Sequence, residues 1–166
     1  MPASFGSSTI TPEALSPGSA QETRELLRGE PQRDAEPSRS GVILAIDDEI
    51  SLCHMLGFML RVDGYEVVSC ASGEEGLALF REREFDAVFT DLGMPGMSGW
   101  EVARAIKALA PDVPVVLVTG WGVELEQESL AENGVDLLVC KPFRTSDVRR
   151  VVAEAMRLRR QAQARS

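Results

Sequence analysis

The sequence has little of what marks secreted, membrane-spanning or nucleic-acid-binding chains. Its 166 residues hold three cysteines, Cys53, Cys70 and Cys140. The number is odd, the spacings are wide and no CxxC pair occurs, so neither a disulfide framework nor a zinc site is supported. The three read as small buried hydrophobes in a reducing compartment. No run approaches the roughly 18 consecutive apolar residues of a membrane helix. The N-terminus lacks the basic segment and apolar stretch of a secretory signal. Positive charge is also short: 17 Lys and Arg against 26 Asp and Glu leave a net charge of −9. That balance argues against a basic face for nucleic acid or anionic membrane. A cytoplasmic protein with neither nucleic acid nor membrane among its partners is expected. The lone histidine, His54, reads as a packed or solvated residue of a helix, not as a ligand or phosphodonor. The arginines from Arg149 to Arg165 read as helix-end charges, not as an anion-binding face.

What is present divides into two unlike parts. Residues 1–41 contain Pro2, Pro12, Pro17, Pro31 and Pro37 with much Ser, Gly and Glu and few apolar residues. Such a segment buries too little surface to offset its ordering entropy, so a disordered tail or linker is expected there. From Val42 the pattern changes. Short apolar runs at Val42–Ile46, Glu66–Cys70, Ala87–Thr90, Val115–Thr119 and Leu137–Cys140 lack a clean alternation, as in strands covered on both faces. Between and after them lie segments with helical periodicity. The first is Ser51–Asp63, with Ser51 as a plausible N-cap, a stop at Gly64, and Met55, Leu56, Phe58 and Met59 as core candidates. The others are Gly73–Arg83, Gly99–Ala110, Glu124–Asn133 and Thr145–Arg160. Strand and helix alternate five times with short connections. This predicts an α/β domain over 42–160, a five-stranded parallel sheet with helices on both faces, and a short C-terminal tail at 161–166.

In open sheets of this kind, ligands bind beyond the carboxyl ends of the strands. Strand one runs into Asp47-Asp48-Glu49, strand three into Asp91, strand four ends at Thr119, and strand five leads to Lys141-Pro142. Charged and hydroxyl side chains thus follow four of five apolar strands and should share one rim. Crowded carboxylates repel one another, and a hard divalent cation with oxygen ligands, Mg²⁺, removes that cost. A central carboxylate such as Asp91 can attack phosphorus to form an aspartyl phosphate. Lys141 suits a phosphoryl oxygen as a compact cation, and Thr119 can donate a hydroxyl to another. Read alone, the acidic triplet could be a solvated turn and Gly93–Gly99 a flexible loop.

Taken in order, Ile46-Asp47-Asp48-Glu49, Thr90-Asp91-Leu92-Gly93-Met94-Pro95-Gly96-Met97-Ser98-Gly99, Val118-Thr119-Gly120 and Cys140-Lys141-Pro142-Phe143 resemble the receiver domains of two-component response regulators. The resemblance spans about Gly41 to Arg160. It implies a flavodoxin-like doubly wound sheet of strand order 2-1-3-4-5 and a two-component phosphorelay function. It makes Asp91 the phosphoacceptor, with Mg²⁺ held by Asp47, Asp48, Asp91 and the Gly93 backbone carbonyl. Thr119 becomes the switch hydroxyl, Lys141 the counter-ion, and the Lys141–Pro142 bond cis. The donor would be a phosphohistidine on a histidine kinase or histidine phosphotransfer protein. With six residues after Arg160, the signal is expected to leave through contact with a downstream protein or by relay, either from a stand-alone receiver or from the final domain of a hybrid kinase. Two positions depart from the family. Leu138 stands where Phe or Tyr is usual, which removes the ring from the switch. Trp121 either shields the acyl phosphate, with Gly93 leaving space, and so slows self-dephosphorylation, or is a surface aromatic at a partner patch.

Two other functions fit the same topology. A Mg²⁺-dependent phosphatase with an aspartyl-phosphate intermediate commonly carries Asp-x-Asp, whereas Asp91 is followed by Leu-Gly-Met. A nucleotide or flavin binder needs a phosphate-welcoming first loop, yet strand one opens onto acids, and no GxGxxG or GxxxxGK[ST] follows it.

Overall fold

The computed structural model describes residues 41–120 and 127–165. Residues 1–40, Trp121 and residues 124–126 of the fourth expected helix lie outside the described residues. The strands are β1 (Val42–Ile46), β2 (Glu66–Cys70), β3 (Ala87–Asp91), β4 (Val115–Thr119) and β5 (Leu137–Cys140). They form one five-stranded sheet of order β2-β1-β3-β4-β5, and every pairing is parallel. The helices are α1 (Ile50–Val62), α2 (Gly73–Glu82), α3 (Gly99–Leu109), α4 (Gln127–Glu132) and α5 (Thr145–Gln163).

Strand side chains alternate between two cores because successive Cβ atoms point to opposite faces. Ile43, Ala45 and Phe89 join Leu56 and Leu60 of α1 and Val148, Val152 and Ala155 of α5 on one face. Leu44, Ile46 and Val88 join Leu77 of α2 and Val102, Ala103 and Ile106 of α3 on the other. Both faces are covered, and this is why the strands read as unbroken apolar runs.

The helix boundaries have local causes. Ser72 accepts from the Glu75 N–H to cap α2, and Ser98 with Glu101 forms a reciprocal capping box for α3. Helix α1 closes in a Schellman arrangement, with Gly64 N–H on the Arg61 carbonyl and Tyr65 N–H on the Leu60 carbonyl. This turn needs Gly64 at φ +89°. The start of α1 differs from expectation. It begins at Ile50, with Glu49 at the cap and no side-chain capping bond. The Asp47 carboxylate accepts the Glu49 N–H at 2.8 Å, and this tight turn brings the chain into the helix before Ser51 is reached.

The core expectation for α1 also needs correction. Leu56 is buried and Met59 packs against the core. Met55 and Phe58 fall on the outer face, where Phe58 is 68% exposed, because a turn of 3.6 residues carries them away from Leu56 and Leu60. Cys140 is exposed, unlike the buried Cys53 and Cys70, since it ends an edge strand. Helix α5 runs three residues past Arg160, to Gln163. Its Arg149 makes a bidentate pair with Asp63 at the end of α1, and Arg157 pairs with Glu154. No described helix is long and apolar enough to cross a membrane.

Candidate functional site

β1, β3 and β4 are neighbours and parallel, so their carboxyl ends open on one rim. The register Ile46↔Thr90 sets Asp91 level with Asp47, and Asp91↔Val118 places Thr119 one residue beyond Asp91 on the next strand. The Asp47 N–H bonds the Cys70 carbonyl at 3.2 Å and prolongs the β1–β2 ladder by one residue. Asp47, Asp91 and Thr119 are buried, whereas Asp48 is exposed.

The structure brings four expected residues into direct contact or near-contact. Lys141 Nζ lies 2.7 Å from Asp47 Oδ2 and 2.7 Å from Asp91 Oδ1. The other oxygens of the same carboxylates accept backbone donors: Asp47 Oδ1 from Glu49 N–H at 2.8 Å, and Asp91 Oδ2 from Gly93 N–H at 2.7 Å. One oxygen each from Asp47, Asp48 and Asp91 lie within 4.8 Å of one another. Asp48 has no hydrogen bond or ion pair among the described residues. Asp47 and Asp91 therefore share one ammonium while Asp48 stands beside them unpaired, which leaves a local surplus of negative charge. Burial alone would depress the Lys141 pKa, but its bonds to Asp47 and Asp91 outweigh that and hold it above the ordinary lysine value.

Thr119 is 1% exposed, and its hydroxyl has no hydrogen-bond partner. Such a group costs free energy unless something else comes to meet it. Its carbonyl accepts the Lys141 N–H at 2.6 Å, so β4 helps to hold the β5 turn, where the Lys141–Pro142 peptide is cis. Gly93 is exposed, and a Cβ there would meet nothing closer than Asp91 Oδ2 at 3.8 Å. Leu138 is half-buried against the α2–α3 core, and Trp121 lies outside the described residues.

The donors at the rim are hard oxygens with excess negative charge, which fits a small divalent cation. A hollow of about 320 Å³, lined by Phe80, Phe85, Val113 and Arg159 among others, lies away from the rim, near the opposite ends of the strands.

The sequence profile of the response regulator receiver domain matches residues 43–153. The chain belongs to this family, the phosphoryl-accepting switches of two-component signalling. It is 37% identical over 115 residues to the transcriptional regulatory protein ZraR of Escherichia coli O157:H7, covering 69% of this chain and 26% of that one. To the sensory transduction protein RegX3 of Mycolicibacterium smegmatis it is 38% identical over 101 residues, covering 61% and 44%. The chain thus spans less than half the length of these relatives. Among solved structures, a receiver domain protein from Clostridium thermocellum aligns with TM-score 0.66 and 34% identity over 72% of this chain and 97% of that one. The response regulator TrrA of Thermotoga maritima, solved in complex with Mg²⁺ and BeF, aligns with TM-score 0.62 and 32% identity over 69% and 97%.

Two features of this receiver rim escaped the sequence reading. Gly99 leaves no room for a side chain, because a Cβ would stand 2.2 Å from the Asp91 carbonyl oxygen. Thr90, on the strand just before Asp91, is a fully buried polar residue. A glycine right after a Ser cap was the available signal for the first. For the second there was none, since Thr is an ordinary strand residue.

Proposed function

We propose that Asp91 takes a phosphoryl group from a phosphohistidine on a histidine kinase or histidine phosphotransfer protein. The observation that carries this reading is Lys141 bridging Asp47 and Asp91 beside an unpartnered, buried Thr119 hydroxyl. In the transfer, an Asp91 carboxylate oxygen bonds to phosphorus as the phosphorus–nitrogen bond breaks, and its electron pair stays on the departing imidazole. Gly93 N–H and Lys141 fix the Asp91 carboxylate before the reaction, so little reorganisation is needed. Asp47, Asp48, Asp91 and the Gly93 carbonyl would hold Mg²⁺, consistent with the cation reported for TrrA. When bound, that cation supplies charge neutralisation for the attacking carboxylate and the phosphoryl oxygens.

After transfer, Lys141 pairs with a phosphoryl oxygen, and the Thr119 hydroxyl gains the acceptor it lacks. The new charge is near −2 at neutral pH. Drawing Thr119 inward alters the β4–α4 segment, and a downstream protein with different affinities for the two states reads the change. With Leu138 in place of a ring, the Thr119 segment carries the output. We place this function in the cytoplasm, in a domain over 42–160 with residues 1–41 as tail or linker. Its own chemistry is limited to self-phosphorylation and self-dephosphorylation.

The phosphatase reading lacks its second acid, because Leu92 and Gly93 follow Asp91. Incubation with acetyl phosphate or phosphoramidate and Mg²⁺ tests the choice. A single phosphoryl group per chain, taken up at once and lost slowly, is expected. Sustained turnover of small phosphate esters would contradict the switch.

A further inference from the structure

Among the described residues four polar or charged residues are buried: Asp47, Thr90, Asp91 and Thr119. Three stand at the rim, and the fourth, Thr90, has no part in the chemistry above. It is 0% exposed, and its register partners, Ile46 on β1 and Leu117 on β4, both belong to the apolar core under α2 and α3. Valine would fill this place with nearly the same shape and no polar atom to satisfy. A hydroxyl buried there must find an acceptor, and Thr90 Oγ1 finds the carbonyl oxygen of Asp91 at 3.2 Å.

That oxygen is confined from a second direction. A Cβ on Gly99 would lie 2.2 Å from it and 3.0 Å from the Asp91 carbonyl carbon, so the first turn of α3 sits directly against this peptide. Beyond it, Leu92 N–H bonds the Val118 carbonyl at 2.9 Å, and Gly93 N–H reaches back to Asp91 Oδ2 at 2.7 Å. The plane of the Asp91–Leu92 peptide sets where this loop starts, and therefore whether the Gly93 N–H meets the carboxylate.

We infer that Thr90 is a positioning residue for phosphoryl acceptance, its hydroxyl holding the Asp91 peptide plane so that Gly93 N–H and Lys141 keep the carboxylate aimed at the incoming phosphorus. This inference rests on Asp91 being the phosphoacceptor. Thr90 touches no reacting atom and acts through the backbone of its neighbour. Its contribution is of the size of one neutral hydrogen bond, which corresponds to a rate change of roughly three- to tenfold.

The test compares wild type, Thr90→Val, Thr90→Ser and Thr90→Ala. Acetyl phosphate uptake is timed at saturating Mg²⁺, and the Gly93 amide is followed by ¹⁵N–¹H NMR without donor or metal. Thr90→Val should label roughly three- to tenfold more slowly and reach the same single equivalent, with a displaced or faster-exchanging Gly93 amide. Thr90→Ser, which keeps the hydroxyl, should stay within about twofold of wild type on both readouts. Thr90→Ala, which lacks the hydroxyl but has a smaller side chain, should be slowed like Thr90→Val and serves if the valine variant does not fold. Uptake by Thr90→Val or Thr90→Ala as fast as by wild type overturns the role of Thr90 alone. So does slowed uptake with an unmoved Gly93 amide, which would mark a merely structural effect. No uptake by wild type overturns the assignment of Asp91, and this role with it.

Discussion

At the amino ends of the strands three acidic side chains each have a partner of their own. Glu66 pairs with Arg83 at 2.7 Å, Asp86 accepts the Val42 N–H at 2.8 Å, and Asp136 accepts the Val115 N–H at 2.7 Å while Lys107 lies 2.8 Å away. At the carboxyl ends Asp47 and Asp91 share Lys141, Asp48 has no partner among the described residues, and the Thr119 hydroxyl is buried without an acceptor. The residue types are the same at both ends. What differs is whether their demands are met inside the fold. Carboxylates with partners of their own tie down strand starts, whereas the surplus negative charge and the unpartnered Thr119 hydroxyl at the other ends suit a ligand, so function is read from the deficit and not from the residue names.

Substitutions at the two ends should therefore fail in different assays. The largest effect is expected for Lys141→Met. It should lower the rate of phosphoryl uptake on the order of 10–100-fold, the loss of a charge-assisted contact of about 1.5–3 kcal/mol, and should leave the fold intact by circular dichroism. An unchanged rate would remove Lys141 from the site. Gly99→Ala comes next. Its Cβ would meet the Asp91 carbonyl oxygen at 2.2 Å, an overpacking that should cost about 1–3 kcal/mol in urea unfolding. Gly93→Ala, with open space around it, should cost under about 0.5 kcal/mol.

At the opposite end, Asp86→Ala strips the acceptor from Val42 N–H and should destabilise by about 1–2 kcal/mol, with phosphoryl uptake unchanged. A slowed uptake there would blur the contrast between the two ends. The smallest effect concerns Asp63, whose pKa is lowered by its bond to Arg149. A depressed folded-state pKa stabilises above the unfolded carboxylate value and is lost as pH falls through the folded value. Arg149→Gln should thus shift the urea midpoint slightly at neutral pH, and the difference from wild type should vanish in acid, below the ordinary aspartate range.

Much of the fold could be read from the residues because the sheet is covered on both sides. Runs such as residues 115–118 are apolar throughout and stop abruptly at a polar residue, so each strand's end and the rim announced themselves together. The glycine stop at Gly64 marked a helix end because its positive φ suits a residue without a Cβ. The start of α1 was misplaced because Ser51 has the right chemistry for a cap, while the Asp47–Glu49 turn that displaces it depends on a side chain already committed to the site. Phe58 and Met55 were misassigned because an apolar residue at an exposed helical position looks like any other until the helix phase is fixed. Thr90 and Gly99 needed the strand register and the approach of α3, which no local pattern encodes. The sharing of one ammonium by Asp47 and Asp91 required the three-dimensional convergence of β1, β3 and β5.

The claim that the unmet charge at the carboxyl ends exists to receive a phosphoryl group is tested most directly by intact-mass spectrometry. Wild type and Asp91→Asn are incubated with acetyl phosphate, each with Mg²⁺ and with EDTA. One added phosphoryl group on wild type with Mg²⁺, and none in the other three samples, is the result this geometry requires. Equal labelling of Asp91→Asn, or labelling indifferent to EDTA, would contradict it.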